Sequence, residues 1–426
     1  MNASFHTLGC RLNQADSATV ADDLARHGFQ IVPFGEPADL VVINSCSVTA
    51  TASQKTRQAL RNARKHQPDA FIVLMGCDAT VADMSSFPDA DMIVPNPRPA
   101  PLSQLLPVPL VRTVSQQRFT PGVPADDFTC EGTGLFAEKT RANLKVQEGC
   151  DFFCTYCIVP YSRGPARSRN LDDVLREARQ LIERGHREIV LSGVNITTYN
   201  NSGADLADLM ERLLDLHPEV RYRLGSAEPG PVVHKVVKLM TQTNRICRFL
   251  HLPLQYGEDS ILSKMNRHYD TRQFRDLVFE ANESVPDICF GTDVIVGFPG
   301  ETDETFDKCL AYITSLPFGL MHVFTYSPRQ GTPAAEMPGR PDGRTAERRS
   351  ACLLKLAEQK ARLFAEANVG KTLEVLIENT SPPSGWSDNY LQVTIEDANS
   401  LPQNSLHKVK IISTGDDRNV IGRLNK

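Results

Sequence analysis

The 426-residue sequence lacks any long apolar run, and no stretch approaches the roughly 18 residues of a membrane span. Its first residues, MNASFHTLGC, also lack the basic and then apolar pattern of a secretory signal. We therefore expect a cytoplasmic protein that does not enter a membrane.

The chain also has no excess of positive charge, because its formal net charge at pH 7 is −5. This value argues against a protein that coats nucleic acid with a wholly basic surface, although it is compatible with a local basic patch. The eleven cysteines are odd in number and irregularly spaced, unlike the cysteines of a secreted disulfide framework. Clustered cysteines in such a chain indicate metal or redox chemistry.

Apolar stretches alternate with amphipathic ones over residues 1–94, which predicts an N-terminal parallel α/β domain. Cys10, Cys46 and Cys77 each come directly after an apolar strand, in TLGC, INSC and LMGC. The carboxyl ends of parallel strands lie along one edge of the sheet. We therefore expect these three thiols to converge.

The rest of the chain divides into three further segments. Residues 95–135 are rich in proline and predict a linker, in which Cys130 is incidental. Residues 136–368 contain six βα units in a row, which predicts a partial (β/α)6 barrel of the TIM type. Residues 369–426 are short β-rich runs between turn residues, which predicts a small β-barrel.

Cys150, Cys154 and Cys157 form a C-x3-C-x2-C pattern in EGCDFFCTYCIVPYSRG. Thiolates at this spacing can hold an iron–sulfur cube, and an electron-transfer cube usually takes four cysteines. Three ligands would leave one iron open to a substrate or cofactor. The alternative is a zinc knuckle on Cys154 and Cys157, but no further Cys or His follows in IVPYSRGPARSRN.

The motif GCDFFCTYC and the six βα units resemble those of radical S-adenosylmethionine (SAM) enzymes. The resemblance implies a 4Fe-4S cluster on Cys150, Cys154 and Cys157 whose open iron binds SAM and produces a 5′-deoxyadenosyl radical. TLGCRLNQADS, INSCSVTATASQKTR and TDVIVGFPGETDETF are similar to stretches of radical SAM methylthiotransferases, and the C-terminal barrel to their RNA-binding TRAM module. This family implies a second 4Fe-4S cluster on Cys10, Cys46 and Cys77 that supplies sulfur.

Among methylthiotransferases, the stretches RLGSAEP and FTYSPRQGTPAAEM look most like the threonylcarbamoyladenosine type. The resemblance implies a methylthio group added to C2 of N6-threonylcarbamoyladenosine 37 in tRNA. A reductant such as flavodoxin or ferredoxin and a sulfur donor are the implied partners. Isopentenyladenosine in tRNA and an aspartate of a ribosomal protein are alternative targets. An alternative of another class is a non-catalytic iron–sulfur scaffold or electron carrier with an RNA-binding barrel.

Candidate SAM contacts follow the barrel strands, where polar groups face the open end of a barrel. The resemblance points to Gly193, Asn195, Ser226, Glu228, Gln255, Asp293 and Ile295. Ordinary loop hydrogen bonding is the alternative role for each. We interpret His251 and His322, within or beside apolar strands, as core histidines, and GFPGE at 297–301 as a turn rather than a phosphate loop.

Candidate RNA contacts lie in a net-basic run that extends from Lys139 to Arg169. Arg163, Arg167 and Arg169 are predicted to hold phosphates, while interleaved aromatic residues stack on a base. A solvated loop with core aromatics is the alternative. In the C-terminal segment, Trp386 and Tyr390 are candidate stacking groups.

Overall fold

The computed structural model describes residues 1–112, 116–122, 127–128, 140–415 and 418–425. Contacts divide the chain into two units, each built from several segments. The first unit holds Met1–Glu138, Lys145–Glu177 and Ser327–Ala335, and the second holds Lys139–Leu144, Ala178–Tyr326 and Glu336–Lys426.

The first unit begins with a parallel sheet whose described strands run in the order β2-β1-β3-β4-β5-β6. The elements of this part are β1 Asn2–Thr7, α1 Arg11–Arg26, β2 Gln30–Val32, β3 Leu40–Ser45, α2 Ala50–His66, β4 Phe71–Gly76, α3 Cys77–Val81, β5 Met92–Val94, α4 Leu102–Leu105, β6 Gln117–Arg118 and β7 Asp127–Phe128. The predicted N-terminal parallel α/β fold is confirmed. Strand β6 comes from the proline-rich segment, so part of that segment extends the sheet.

Helices cover both faces of this sheet, which explains why β3 and β4 are apolar at almost every position. Val42 and Val73 pack with Leu24 of α1 on one face. On the other face, Ile43 of β3 packs in a core with Leu60 of α2. A sheet buried on both faces leaves its strand ends as the place for polar chemistry.

The segment that begins at residue 140 carries the C-x3-C-x2-C motif. Its elements are β8 Arg141–Lys145, β9 Gln147–Glu148, α5 Val159–Arg163, β10 Arg167–Arg169 and α6 Leu171–Glu183. Strand β10 lies between β7 and β9 in a small sheet. The chain therefore turns back on itself around the cysteines.

The second unit contains the strands of the predicted partial barrel. Its elements are β11 Glu188–Ser192, β12 Asn200–Asn201, β13 Ala204–Asp205, α7 Leu206–Leu214, β14 Arg221–Leu224, α8 Pro231–Met240, β15 Phe249–His251, α9 Asp259–Lys264, α10 Thr271–Ser284, β16 Cys289–Val296, α11 Asp303–Ser315, β17 Phe318–Thr325 and α12 Gly343–Ala367. The strands form the sheets β8-β11-β14 and β15-β16-β17, which the parallel bridges Tyr222–Ile246 and Ser226–His251 join. This order confirms the predicted six-stranded partial barrel.

The C-terminal residues form a closed barrel of five described strands in the order β18-β19-β20-β22-β21. The strands are β18 Thr372–Thr380, β19 Pro383–Ser387, β20 Gln392–Ile395, β21 Leu406–Thr414 and β22 Asn419–Leu424. Val375, Val393 and Val409 lie in its core, and Ala365 of α12 packs with them. The predicted small β-barrel is confirmed, and the long helix contributes to its core.

Candidate metal centre and cofactor contacts

Cys10, Cys46 and Cys77 lie together at the carboxyl edge of the N-terminal sheet. They follow the neighbouring strands β1, β3 and β4, and all three are free thiols. The carboxyl ends of neighbouring parallel strands meet at one edge of a sheet, so three cysteines from three distant motifs lie at the same edge.

Two glycines before these cysteines allow the close approach. Gly9 has φ +95°, and a Cβ there would lie 2.8 Å from the Cβ of Cys46 and 2.9 Å from its sulfur. Gly76 also has φ +95°, and its added Cβ would lie 2.3 Å from Oδ1 of Asn44. These positions accept only glycine without rearrangement.

Asn13 ties the cysteine loops to one another. Its Nδ2 donates to the carbonyl of Leu8 at 2.7 Å and to that of Ser45 at 2.9 Å, next to Cys46. Its Oδ1 accepts from the Cys10 sulfur at 3.8 Å and from the guanidinium of Arg163. One side chain therefore fixes the positions of two of the three thiols.

Burial raises the pKa of the Cys46 thiol to about 11 and raises the pKa of Cys77 as well. Bare thiolates are therefore unfavourable here, whereas a bound cationic iron centre would displace the protons and stabilise the anions. Three soft sulfur donors in a glycine-lined recess fit an iron–sulfur cluster with one open iron. Their role as ligands stays a prediction.

The second cysteine set lies in the same unit, in the loop between β9 and α5. Cys154 is buried, and the amide of Cys157 donates to its carbonyl at 2.9 Å. The amide of Cys150 donates to Gly164 at 3.1 Å, which closes the loop. Phe153 has φ +45°, an uncommon conformation for an aromatic residue. The backbone of this loop is thus tightly determined.

The arginines that follow this loop point inward. Arg163 is 2% exposed and Arg169 is 0% exposed, and Arg167 is buried too. Arg163 pairs with Glu148 at 2.7 Å, Arg167 pairs with Glu148 at 3.1 Å, and Arg169 bonds to Asp173 at 2.6 Å. Ion pairs within the fold therefore already engage these three side chains, and their RNA-binding role stays a prediction.

The candidate SAM residues of the second unit lie at or beyond strand ends. Gly193 and Asn195 follow β11, and the Asn195 side chain accepts from Thr197 N at 3.2 Å. Asp293 and Ile295 alternate with fully buried neighbours along β16, so they share its more accessible face. The backbone of Gln255 pairs with this strand, since its amide donates to Asp293 at 2.8 Å.

Ser226 and Glu228 follow β14, where Ser226 forms a backbone bridge with His251. The Glu228 carboxylate accepts from Arg267, and burial raises the pKa of Glu228. Arg267 in turn lies 5.0 Å from the ring centre of Tyr269. One carboxylate oxygen is thus already occupied within the protein, and the SAM-binding role of all seven residues stays a prediction.

Asp293 also holds two histidines from the flanking strands. His251 lies 3.2 Å and His322 lies 3.1 Å from its carboxylate oxygens. Burial opposes the charge of Asp293, but hydrogen bonds from both imidazoles lower its pKa well below the usual range. The prediction that His322 is a core histidine is wrong, because its side chain is 50% exposed. Polar pairing and not apolar packing fixes this imidazole.

Trp386 and Tyr390 stack on each other with ring centres 4.7 Å apart. Tyr390 also stacks on Phe249, with ring centres 4.2 Å apart, while Arg141 lies 5.1 Å from the Trp386 ring. The RNA-stacking role of Trp386 and Tyr390 stays a prediction. These aromatics join the C-terminal barrel to strand β15.

Sequence reasoning did not single out Asn13, Asp16 or Glu148, although all three lie within six residues of a candidate ligand. Their proximity to the cysteines was the available signal.

Cys130 and Lys139 lie outside the described residues. Gly297 and Gly300 adopt positive φ, so GFPGE is a turn as predicted. No helix in the described ranges has the length and apolar character needed to cross a membrane.

Comparison with known proteins agrees with this architecture. Residues 144–313 match the radical SAM superfamily, and residues 2–94 match the uncharacterized protein family UPF0004. A solved structure of the radical SAM methyltransferase TsrM from Kitasatospora setae has a TM-score of 0.54 at 16% identity and covers 78% of this chain and 77% of that one. At this identity the likeness concerns the fold alone.

Curated relatives are similar over almost the whole chain. The threonylcarbamoyladenosine tRNA methylthiotransferase MtaB of Bacillus subtilis is 32% identical, over 97% of this chain and 94% of the relative. MtaB of Aquifex aeolicus is 33% identical, over 93% and 97%. A tRNA-2-methylthio-N(6)-dimethylallyladenosine synthase of Cereibacter sphaeroides is 35% identical, over 96% and 95%. With its two cysteine sets, partial barrel and C-terminal barrel, this chain belongs to the radical SAM methylthiotransferase family.

Proposed function

We propose that this chain adds a methylthio group to C2 of N6-threonylcarbamoyladenosine 37 in tRNA. The observation that carries the proposal is the convergence of Cys10, Cys46 and Cys77 in a chain that also has the C-x3-C-x2-C set. Sulfur insertion at a carbon needs both an agent that removes hydrogen and a source of sulfur. The names of the relatives in Bacillus subtilis and Aquifex aeolicus support this substrate.

In this proposal each cysteine set holds one 4Fe-4S cluster, and the strand-end residues of the barrel hold SAM. The bound groups supply hydrogen abstraction at the Cys150 set and sulfur at the Cys10 set. The chain's own residues position them: Asn13 holds the loops of Cys10 and Cys46, and Asp293 presents a carboxylate beside Ile295. A second SAM that donates the methyl group, a reductant of the flavodoxin or ferredoxin kind and a sulfur donor complete the reaction.

A second candidate substrate is dimethylallyladenosine in tRNA. The 35% identity to the Cereibacter sphaeroides synthase favours it, because the MtaB relatives are no more similar than that. The two candidates differ in the group on N6 of the adenosine, which is charged in one and apolar in the other. Identity at this level does not separate them.

Nucleoside mass spectrometry of tRNA tests the substrate. Cells that lack the gene should lose the 2-methylthio form of threonylcarbamoyladenosine, and the intact gene should restore it. If the cells instead lose the 2-methylthio form of dimethylallyladenosine, the second candidate is the substrate. Retention of both forms would overturn it.

Two single-cysteine variants test the division of labour between the sets. Cys154→Ala should abolish the release of 5′-deoxyadenosine from SAM, whereas Cys46→Ala should retain release but stop methylthiolation. Cys247→Ala is the control, because that buried thiol lies in the second unit. If both test variants still methylthiolate tRNA, the proposal of two catalytic clusters fails. If the unaltered protein, loaded with iron, never cleaves SAM, the non-catalytic scaffold is favoured.

A further inference from the structure

A buried charge cluster lies beside the Cys10 set, within the first unit. Its members are Asp16, Lys145, Glu148, Arg163 and Arg167. Lys145 Nζ lies 2.7 Å from Asp16 and 2.9 Å from Glu148, while Arg163 lies 3.0 Å from Asp16 and 2.7 Å from Glu148. Every one of these side chains is at most 10% exposed.

The buried charge cluster contains more cations than carboxylates. In the contacts among these five side chains, three cations face two carboxylates. A buried cation is stabilised by anions close to it, so such a cluster favours an anionic group beside it. The groups at hand are the thiols of the Cys10 set.

Arg163 connects this charge cluster to the loop of Cys10. Its guanidinium donates to Oδ1 of Asn13, the same atom that accepts from the Cys10 sulfur at 3.8 Å. Asn13 is also the side chain that holds the Cys10 and Cys46 loops. Arg163 ends helix α5, only six residues after Cys157, so one short segment links the two cysteine sets.

We propose that Arg163 is a positioning residue that raises the reduction potential of the cluster held by Cys10, Cys46 and Cys77. One-electron reduction adds one negative charge to an already anionic thiolate cluster. A fixed, buried guanidinium near the cluster stabilises that reduced state more than the oxidised one, because the charge around a cluster is a determinant of its potential. This inference rests on the ligand set of the proposed function.

Arg169 provides a matched control. It is also a fully buried arginine of the first unit, and it bonds the carboxylates of Asp173 and Glu177 and the carbonyl of Lys145. Removing either guanidinium should destabilise the fold to a similar degree, since each leaves two buried carboxylates with fewer partners. Only Arg163→Gln should change a redox property of the Cys10 set.

The test uses full-length protein with Cys150, Cys154 and Cys157 changed to Ala, reconstituted anaerobically with iron and sulfide and reduced with dithionite. An EPR-monitored redox titration then measures the midpoint potential of the remaining cluster. Arg163→Gln should shift the midpoint to a more negative value, Arg163→Lys should restore part of the shift, and Arg169→Gln should leave it unchanged.

The outcomes separate this inference from the proposed function. A triple-alanine protein that binds no iron would overturn the ligand set and the inference with it. A protein that binds iron but shows the same midpoint in Arg163→Gln and Arg169→Gln would overturn the inference alone. If Arg163→Gln does not retain the cluster, Arg163→Met, which has no charge and fills part of the same volume, takes its place, and an unchanged midpoint in that variant contradicts the proposal.

Discussion

Glu188 illustrates how a single buried residue supports the second unit. Its carboxylate is 0% exposed and accepts from Nε of Arg221 at 2.8 Å and of Arg223 at 2.7 Å. Both arginines also donate to carbonyls of strand β19, at Trp386 and Ser387. A carboxylate on β11 thus pairs with both of the cations that connect β14 to the C-terminal barrel.

Glu188→Gln should destabilise the second unit by about 3–5 kcal/mol, because two buried guanidinium groups lose their counter-charge. Burial opposes ionisation, but Arg223 and Arg221 outweigh it and lower the pKa of Glu188 to about 2. A depressed pKa contributes stability above the ordinary carboxyl value, and this contribution of about 3 kcal/mol is lost as pH falls from about 4.5 toward 2. As the pH is lowered from 7 to 3.5, the difference in unfolding temperature between Glu188→Gln and the unaltered protein should therefore become smaller.

Glu304→Gln is the control for this prediction. Glu304 is highly exposed and pairs with Lys308 one turn away on α11, so its removal should change the unfolding temperature little at any pH. A constant gap between Glu188→Gln and the unaltered protein across this pH range would contradict the electrostatic explanation.

At the scale of elements, the parallel sheet brings the Cys10 set together. Strands β1, β3 and β4 are neighbours in the sheet, so the loops that leave their carboxyl ends share one edge. The Ser45 hydroxyl accepts from the amides of Asp78 and Ala79 at 3.1 and 3.3 Å, which attaches the loop of Cys46 to helix α3. Ligand geometry here depends on glycine turns and loop hydrogen bonds.

Gly76→Ala should lower the iron content of the Cys10 set, because the new Cβ would meet Asn44 and displace the start of α3 at Cys77. Two 4Fe-4S clusters contain about eight iron atoms. Reconstituted full-length Gly76→Ala protein should contain fewer. The measurement is iron and acid-labile sulfide per chain.

Gly28→Ala is the matched control for backbone strain. Gly28 has φ +87°, close to the value at Gly76, but a Cβ there would meet nothing within 4 Å. Its variant should keep full iron content. Equal losses in the two variants would mean that general strain, and not a clash at the cysteine loop, causes the effect.

On the scale of the whole molecule, the C-terminal barrel is integrated with the second unit. Helix α12 adds Ala365 to the barrel core, and Arg248 bonds Asp388 at 2.6 Å. Phe249 of β15 stacks on Tyr390. The barrel therefore serves as a structural support for strands β14 and β15 in addition to any role in RNA binding.

Truncation after Asn368 should lower the unfolding temperature of the remaining chain, since Arg221, Arg223 and Arg248 would lose buried acceptors. Differential scanning calorimetry of the truncated and full-length proteins measures the effect. A truncated chain with an unchanged unfolding temperature would indicate that the barrel is an independent appendage.

Much of the architecture could be predicted from local pattern. Continuous apolar runs such as FIVLMG predicted strands buried on both faces, and the spacing of Cys150, Cys154 and Cys157 indicated a three-thiol site. The arginines were harder to interpret. A basic run has the same appearance in sequence whether its charges face solvent or buried carboxylates, and here the partners Asp16 and Glu148 are 132 positions apart along the chain.

The amino-acid sequence by itself determined the α/β class, the two groups of three cysteines and the succession of βα units, because hydrophobic periodicity and motif spacing are local properties. Only the tertiary structure decided that Arg163 faces the Cys10 set, that Asp293 joins His251 and His322, and that Trp386 and Tyr390 stack within the protein. These outcomes depend on which distant residues meet inside the fold, where a buried charge must find a counter-charge and a buried ring must find a packing partner.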